Sequence, residues 1–351
     1  MNRKIYYLLI AIAAMCITLF ATCKKDEKKN DVPDDVKVTS VSLDKDALAL
    51  VVGETETLTA TVLPEEAANK TVTWESSDPT VAEVVEGLIT ALKQGTATIT
   101  VTTVDGNFSA TCSVEVGENI EIEMILVEGG TFTMGCSDDE CYERELPTHQ
   151  VTVSSFQISK NLVTQKQWET IMGRTIAEQA ELAGYPDGLY GVGDDYPVYY
   201  VSWDDAQKFI QKLNAATGKQ YRLATEAEWE YAARGGNKSQ GYKYSGSNDI
   251  NEGAWYDENS ELTTHPVGTK APNELGIYDM SGNLWEWCHD RYGEYTDEAQ
   301  TNPQGPAGGF NRVLRGGSWY STAADCRVSD RGDFTPSYRI FDYGVRLVLV
   351  P

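Results

Sequence analysis

The chain has 351 residues, 41% of them apolar and 23% charged, which is ordinary globular composition and long enough for two domains. With 29 Lys+Arg against 53 Asp+Glu its net charge is −24, which repels phosphate backbones and anionic lipid headgroups and so excludes nucleic acid as a partner. Only three histidines occur, His149, His265 and His289, without H-x-x-x-H or H-E-x-x-H spacing, so a histidine-based metalloenzyme is excluded as well.

Residues 1–22 carry a basic start (Arg3, Lys4), an apolar run from Ile5 to Leu19 and small residues before Cys23, the pattern of a secretory signal peptide. The ending Phe20-Ala-Thr-Cys23 resembles a bacterial lipobox, which implies that Cys23 is lipidated and anchors the mature protein to the membrane. An uncleaved membrane anchor is the alternative, but the run is short for a spanning helix. Residues 23–36 form a charged tether with almost nothing apolar to bury. Its Lys-Asp-Glu core is similar to the signal that follows the lipidated cysteine in surface-exposed lipoproteins of the Bacteroidetes, and a plain solvated linker fits equally. The expected location is the cell envelope, on an outer-membrane lipoprotein that is either periplasmic or surface-displayed.

Residues 37–117 alternate apolar and polar at period two in Thr57-Leu-Thr-Ala-Thr-Val-Leu63, Thr71-Val-Thr-Trp-Glu75, Ala97-Thr-Ile-Thr-Val101 and Phe108 to Val116, with turn signals at Gly53, Pro64, Pro79, Gly95 and Gly106. This predicts an all-β immunoglobulin-like sandwich. The Thr-Trp-x-Ser-Ser-Asp-Pro and Gly-Thr-Ala-Thr-Ile-Thr-Val phrases resemble bacterial Ig-like domains of group 2. Cys112 shares a face with Phe108, Ala110 and Val114 and reads as a small buried core residue. The sandwich has no cluster of titratable groups, so a spacer or a modest contact surface is expected of it.

A short join leads to a second domain over 121–351. Met124 to Gly135 reads as a strand pair turned at Gly129-Gly130, and His149 at a strand start reads as structural. Three helices follow from their caps: a capping box at Thr164-Gln-Lys-Gln167 closed by Gly173, a cap at Ser202 with Ala206, Phe209, Ile210 and Leu213 on one face, and a box at Thr225-Glu-Ala-Glu228 ended by Gly235-Gly236. Glu226 and Glu228 thus have a helix-start explanation before any catalytic one. Beyond them, 236–275 is rich in Gly, Asn, Ser and Tyr with little periodicity.

Three long phrases occur in order: Tyr221 to Gly236, Gly276-Ile-Tyr-Asp-Met-Ser-Gly-Asn-Leu-Trp-Glu-Trp-Cys288, and Arg312-Val-Leu-Arg-Gly-Gly-Ser-Trp319 with Tyr343-Gly-Val-Arg346. Together they resemble the formylglycine-generating enzyme (sulfatase-modifying factor) family. The resemblance implies an α+β domain, distantly C-type-lectin-like and poor in regular structure. It also implies an oxidase whose two cysteines, three and eight residues after the serine of Gly-Gly-Ser, hold Cu(I). Counted from Ser318, the first position is Ser321 and the second Cys326. A hydroxyl is a hard neutral oxygen and does not replace a thiolate, so copper is not expected. Cys326, the degenerate Ser321 and Ser318 are the candidate site, and Arg315, Trp319, Arg327, Arg331 and Arg346 the framework of its groove.

Asp279, Gly282, Leu284 and Glu286 match a structural calcium site of the family, with hard oxygens of the type Ca2+ takes; a Gly-Asn turn with Glu286 paired to an arginine is the alternative. Because the two motifs lie together around the family's site, the resemblance also suggests a Cys288–Cys326 disulfide. Cys136 and Cys141, five apart, suggest a loop cross-link, with a metal or free-thiol role left open. The expected function is a calcium-braced, non-catalytic module that binds a glycan, peptide or protein. The alternative is a metal-dependent oxidase acting on exported substrates.

Overall fold

The computed structural model describes residues 36–117, 120–137 and 140–350, so the signal segment and the Cys23 anchor lie outside the described residues. The chain forms two compact units, Met1–Gly117 and Glu118–Pro351.

Among the described residues of the first unit the strands run β1 Ser40–Leu43, β2 Ala47–Val51, β3 Thr55–Thr57, β4 Ala60–Leu63, β5 Val72–Ser76, β6 Ala82–Val85, β7 Leu88–Ala91, β8 Gly95–Thr103 and β9 Ser109–Gly117. They pair as β2-β9-β8-β5, β3-β7-β6 and β1-β4. The period-two text dictates the burial: Ala97, Ile99 and Val101 of β8 and Cys112, Val114 and Val116 of β9 all point into one core. Phe108 departs from the expected face; it precedes β9 and stays exposed. The β6–β7 hairpin turns on Glu86 and Gly87, both at positive φ, as a tight two-residue loop requires.

The second unit holds three small sheets. Strands β10 Met124–Val127, β11 Gly130–Met134, β12 His149–Val153, β13 Phe156–Ser159, β14 Tyr221–Leu223, β15 Trp285–Arg291, β16 Gln300–Thr301, β17 Arg312–Arg315, β18 Arg331–Phe334, β19 Tyr343–Gly344 and β20 Leu347–Leu349 pair as β10-β13-β20-β14, β11-β12-β16 and β18-β17-β15-β19. The last strand therefore lies inside a sheet begun more than two hundred residues earlier, which ties the end of the chain to its entry.

Helices α1 Gln165–Met172, α2 Ile176–Ala183, α3 Trp203–Thr217 and α4 Glu226–Ala233 pack on these sheets. Each starts where a hydroxyl cap predicts: Thr164, Thr175, Ser202 and Thr225 accept from the backbone N–H three residues on. In α3 the face Ala206, Phe209, Ile210 and Leu213 is buried as its spacing requires, and Phe209 stacks on Trp168 of α1 at 5.2 Å. Trp287 and Trp319 sit in this same cluster, whereas Trp229 and Phe156 belong to a neighbouring one.

Candidate functional site

Strand β17 ends at Arg315, and the chain turns on Gly316 and Gly317 at φ 97° and 71°. The turn needs glycine for space as well as for φ: a Cβ on Gly317 would lie 2.7 Å from Cys326 Sγ. Ser318 follows, fully buried. Its hydroxyl donates to Asp342 Oδ2 at 2.8 Å and accepts from the Tyr320 N–H at 3.2 Å. Ser321 Oγ accepts the Ser318 N–H at 3.0 Å and lies 3.0 Å from Ser318 Oγ. Since the Ser318 hydrogen goes to Asp342, Ser321 must donate in that contact. Both hydroxyls are therefore committed to closing the turn. Burial pushes the Asp342 carboxyl up to about 6, with the Ser318 hydrogen bond opposing.

Cys326 ends a short 3-10 helix, Ala323–Cys326, and is completely buried. Burial raises its thiol well above the usual range, and the carboxylates of Asp325, Asp330 and Asp257 push it further the same way. A thiolate, the form that binds a soft metal, is disfavoured here. Ser321 and Cys326 thus do not fit Cu(I): one offers a hard oxygen already in use, the other a protonated thiol.

The Cys288–Cys326 disulfide is not formed; both thiols are free. Cys288 lies on β15 among Val127, Trp229 and Val313, while Cys326 lies among Tyr244, Ile250, Ala254 and Tyr256. The two motifs' lying together around the family's site suggests the pair, but their side chains enter separate clusters. Cys136 and Cys141 are bonded, with their Cα atoms 5.5 Å apart. Cys112 is free and buried.

All four expected arginines are buried and paired. Arg315 meets Glu230 and the carbonyls of Val328, Ser329 and Asp330. Arg327 reaches Glu145 at 2.8 Å, and Arg331 grips Glu226 with Nε and Nη2, both at 2.7 Å. Arg346 holds Glu286 with Nε and Nη2 at 2.9 and 2.8 Å and the carbonyls of Ser159 and Tyr278. They brace loops and leave no free guanidinium for a ligand.

That bracing decides the calcium donor set. Glu286 gives both oxygens to Arg346 and accepts Trp229 Nε1 at 2.6 Å, so a cation there would face a guanidinium. Asp279, at φ 56°, accepts the Gly268 N–H at 2.8 Å and is pushed up to about 6 by burial. Gly282 is pressed against Trp255, whose carbonyl oxygen a Cβ would meet at 2.2 Å. Both oxygens of Glu286 are thus engaged by Arg346, the arginine pairing that the sequence offered as the alternative to calcium at Asp279, Gly282, Leu284 and Glu286.

The surface over the Ser318 turn is aromatic, and this the motifs did not reveal. Trp319, itself buried, packs on Tyr190 at 4.9 Å, Tyr320 at 5.4 Å and Phe341 at 5.5 Å. Tyr320 is exposed, and so are Leu189, Val192 and Leu262 from the neighbouring loops. The loop of Leu262 is tied down: Ser260 Oγ donates to the Trp319 carbonyl at 2.7 Å, and the Thr264 N–H to that of Tyr190 at 3.2 Å. Glu261 and Leu262 both sit in the left-handed region, strain a side chain adopts only where its surroundings hold it. A cleft of about 570 Å3 between residues 120–123 and α1 is lined by none of Ser318, Ser321 or Cys326.

Comparison with known proteins bears on both units. Residues 113–350 match the model of the sulfatase-modifying factor enzyme 1-like domain, and residues 37–114 that of the bacterial Ig-like domain of group 2. The chaperone protein LppX of Paenibacillus barcinonensis is 33% identical, over 68% of this chain and 92% of that protein. The formylglycine-generating enzyme of Streptomyces coelicolor is 30% identical over 63% of this chain and 87% of its own. The inactive C-alpha-formylglycine-generating enzyme 2 of Bos taurus is 29% identical, covering 66% and 90%. Among solved structures, Treponema denticola variable protein 1 superposes with a TM-score of 0.57 at 30% identity, over 72% of this chain and 99% of that one.

Proposed function

Since the chain belongs to the sulfatase-modifying factor enzyme 1-like domain family and carries a group 2 bacterial Ig-like domain ahead of it, we propose that it is a cell-envelope lipoprotein whose second domain docks a peptide or protein without oxidising it. The observation that carries this is Ser321, a committed hydroxyl where the family's chemistry needs a thiolate. Cys326 alone, buried and protonated, does not supply the pair. What remains at the site is an exposed aromatic and aliphatic surface on a braced scaffold, the kind of patch that marks an interaction site. A relative bearing the name chaperone and another bearing the name inactive are in keeping with that role. The lipobox-like ending at Cys23 supports anchoring, and the sandwich serves as a spacer.

Copper titration of the purified protein against a Cu(I) chelator, with thiol counting, tests the first half. No retained Cu(I) and no oxidation of cysteine peptides above blank are expected. One equivalent of Cu(I), lost on Cys326→Ala, would restore the oxidase reading. Peptide and glycan arrays test the second half. Peptide or protein binding should fall at least about tenfold in Tyr320→Ala, the effect of removing an aromatic anchor; capture of glycans alone would replace the peptide by a glycan.

A further inference from the structure

A cavity of about 240 Å3 lies within the second unit, away from the Ser318 turn in both its residues and its chemistry. Met134, Ala227, Pro303 and Pro306 give it apolar walls, while the rest of its lining is polar or charged, with Glu226 paired to Arg331 and with Arg291, Glu294, His149 and Asp290 among it. At about 30 Å3 per water it has room for roughly eight waters, or for a short alkyl chain with a polar head.

His149 is 5% exposed, and its Nδ1 lies 3.2 Å from the Pro147 carbonyl. A carbonyl only accepts, so Nδ1 carries the hydrogen and Nε2 turns a lone pair outward. Nε2 has no partner among the described residues. Asp290 is 3% exposed; its Oδ2 accepts the Glu226 N–H at 2.9 Å, and its Oδ1 has no partner among the described residues. The cation that could serve Asp290 is already engaged: Arg331 spends Nε and Nη2 on Glu226 and Nη1 on the carbonyls of Gly293 and Arg144. Two acceptors, one of them a carboxyl with no ion pair, thus border a cavity whose lining carries three acids, Glu226, Asp290 and Glu294, against two bases, Arg291 and Arg331.

We propose that this cavity binds a small primary alkylammonium, its N–H donors shared between His149 Nε2 and Asp290 Oδ1 and its chain lying against the apolar walls. An ammonium brings three donors and the missing charge. A metal ion fits less well, because no third His, Cys, Asp or Glu gathers with these two among the described residues. An alcohol brings one donor and no charge.

The groups facing Asp290 set its protonation. Burial and the carboxylates of Glu226 and Glu228 push it up to about 8, against the Glu226 N–H and Arg331. At pH 7 the empty site therefore holds Asp290 protonated, and an arriving ammonium displaces that proton to solvent, so that the carboxylate and the ammonium pair.

Calorimetric titration of the full-length protein at pH 7 with n-butylammonium chloride, in buffers of different ionisation enthalpy, tests this. Saturable binding with release of roughly 0.9 proton is expected, the fraction a group titrating one unit above the pH still holds. 1-Butanol should not bind, and Asp290→Asn should weaken n-butylammonium at least tenfold. The proton count needs only wild-type protein, so it stands even if the variant does not fold. Absence of saturation, uptake without proton release, equal binding of 1-butanol, an unaffected folded Asp290→Asn protein, or stoichiometric Zn2+ binding without n-butylammonium binding would each overturn the assignment.

Discussion

Replacing Arg346 with methionine should cost the second domain on the order of 3–5 kcal/mol, the loss seen when one partner of a buried ion pair is removed. Arg346 is 1% exposed, and its donors end on Glu286 and on the carbonyls of Ser159 and Tyr278. Methionine fills most of the volume, so packing is roughly kept and the effect is electrostatic. What it leaves is a buried carboxylate whose one remaining partner is Trp229 Nε1, at 2.6 Å. Of the eight tryptophans only Trp74 lies in the first unit, so tryptophan fluorescence in a urea titration follows the second domain. The double variant Arg346→Met with Glu286→Leu should recover much of the loss, because an apolar pair of similar volume removes the stranded charge. The same measurement separates the two readings of Glu286. If the carboxylate held a calcium ion, Arg346→Met would be mild and added calcium would raise its stability. A loss under 1 kcal/mol would remove the arginine pair from the account of this fold.

Why the sequence offered an arginine for Glu286 only as an alternative and did not say which, when so much else was legible, comes down to range. Capping and periodicity are local physics, and they placed α1, α3 and α4 together with the strands of the sandwich. Helix α2 was readable by the same rule and was missed: Thr175-Ile-Ala-Glu178 is a capping box, and Gly184 closes it at φ 88°. The turn at Ser318 was legible as a motif, but its partner Asp342 lies 24 residues on and belongs to no phrase. Tyr190 reaches Trp319 from much further away in the chain, and Phe341, next to Asp342, belongs to no phrase either. The Cys288–Cys326 expectation failed for a related reason. Motif proximity states which segments meet, whereas a disulfide depends on which way each Cβ points. For Glu286 the sequence offered calcium or an arginine, and Arg346, 60 residues away, is the arginine the fold brings to it.

The other large effect is on pH. Burial raises carboxyls of the second domain, Asp257 among them; Asp279, Asp330 and Asp342 reach about 6 and Asp290 about 8. In the unfolded chain each titrates near 3.9. Between those values the folded protein holds protons that the unfolded chain has released, so stability falls as pH rises. Three of the losses run through about pH 6 and end about a unit above it, and Asp290 alone continues through about pH 8. Glu226 acts with the opposite sign. Despite burial, Arg331 and Arg315 hold it below its usual range, so its contribution is present at neutral pH and is lost on acidification. The second domain should therefore lose stability as pH rises from about 4, and between pH 6 and pH 8 Asp290 accounts for a loss on the order of 2 kcal/mol. Asn at 290 keeps an oxygen for the Glu226 N–H and has nothing to ionise. Asp290→Asn should therefore flatten that limb and exceed wild type in urea midpoint at pH 8, in phosphate buffer free of amines. A wild-type midpoint that climbs from pH 6 to pH 8, or an identical slope in the variant, would mean that Asp290 is ionised in the fold and already has a counter-charge.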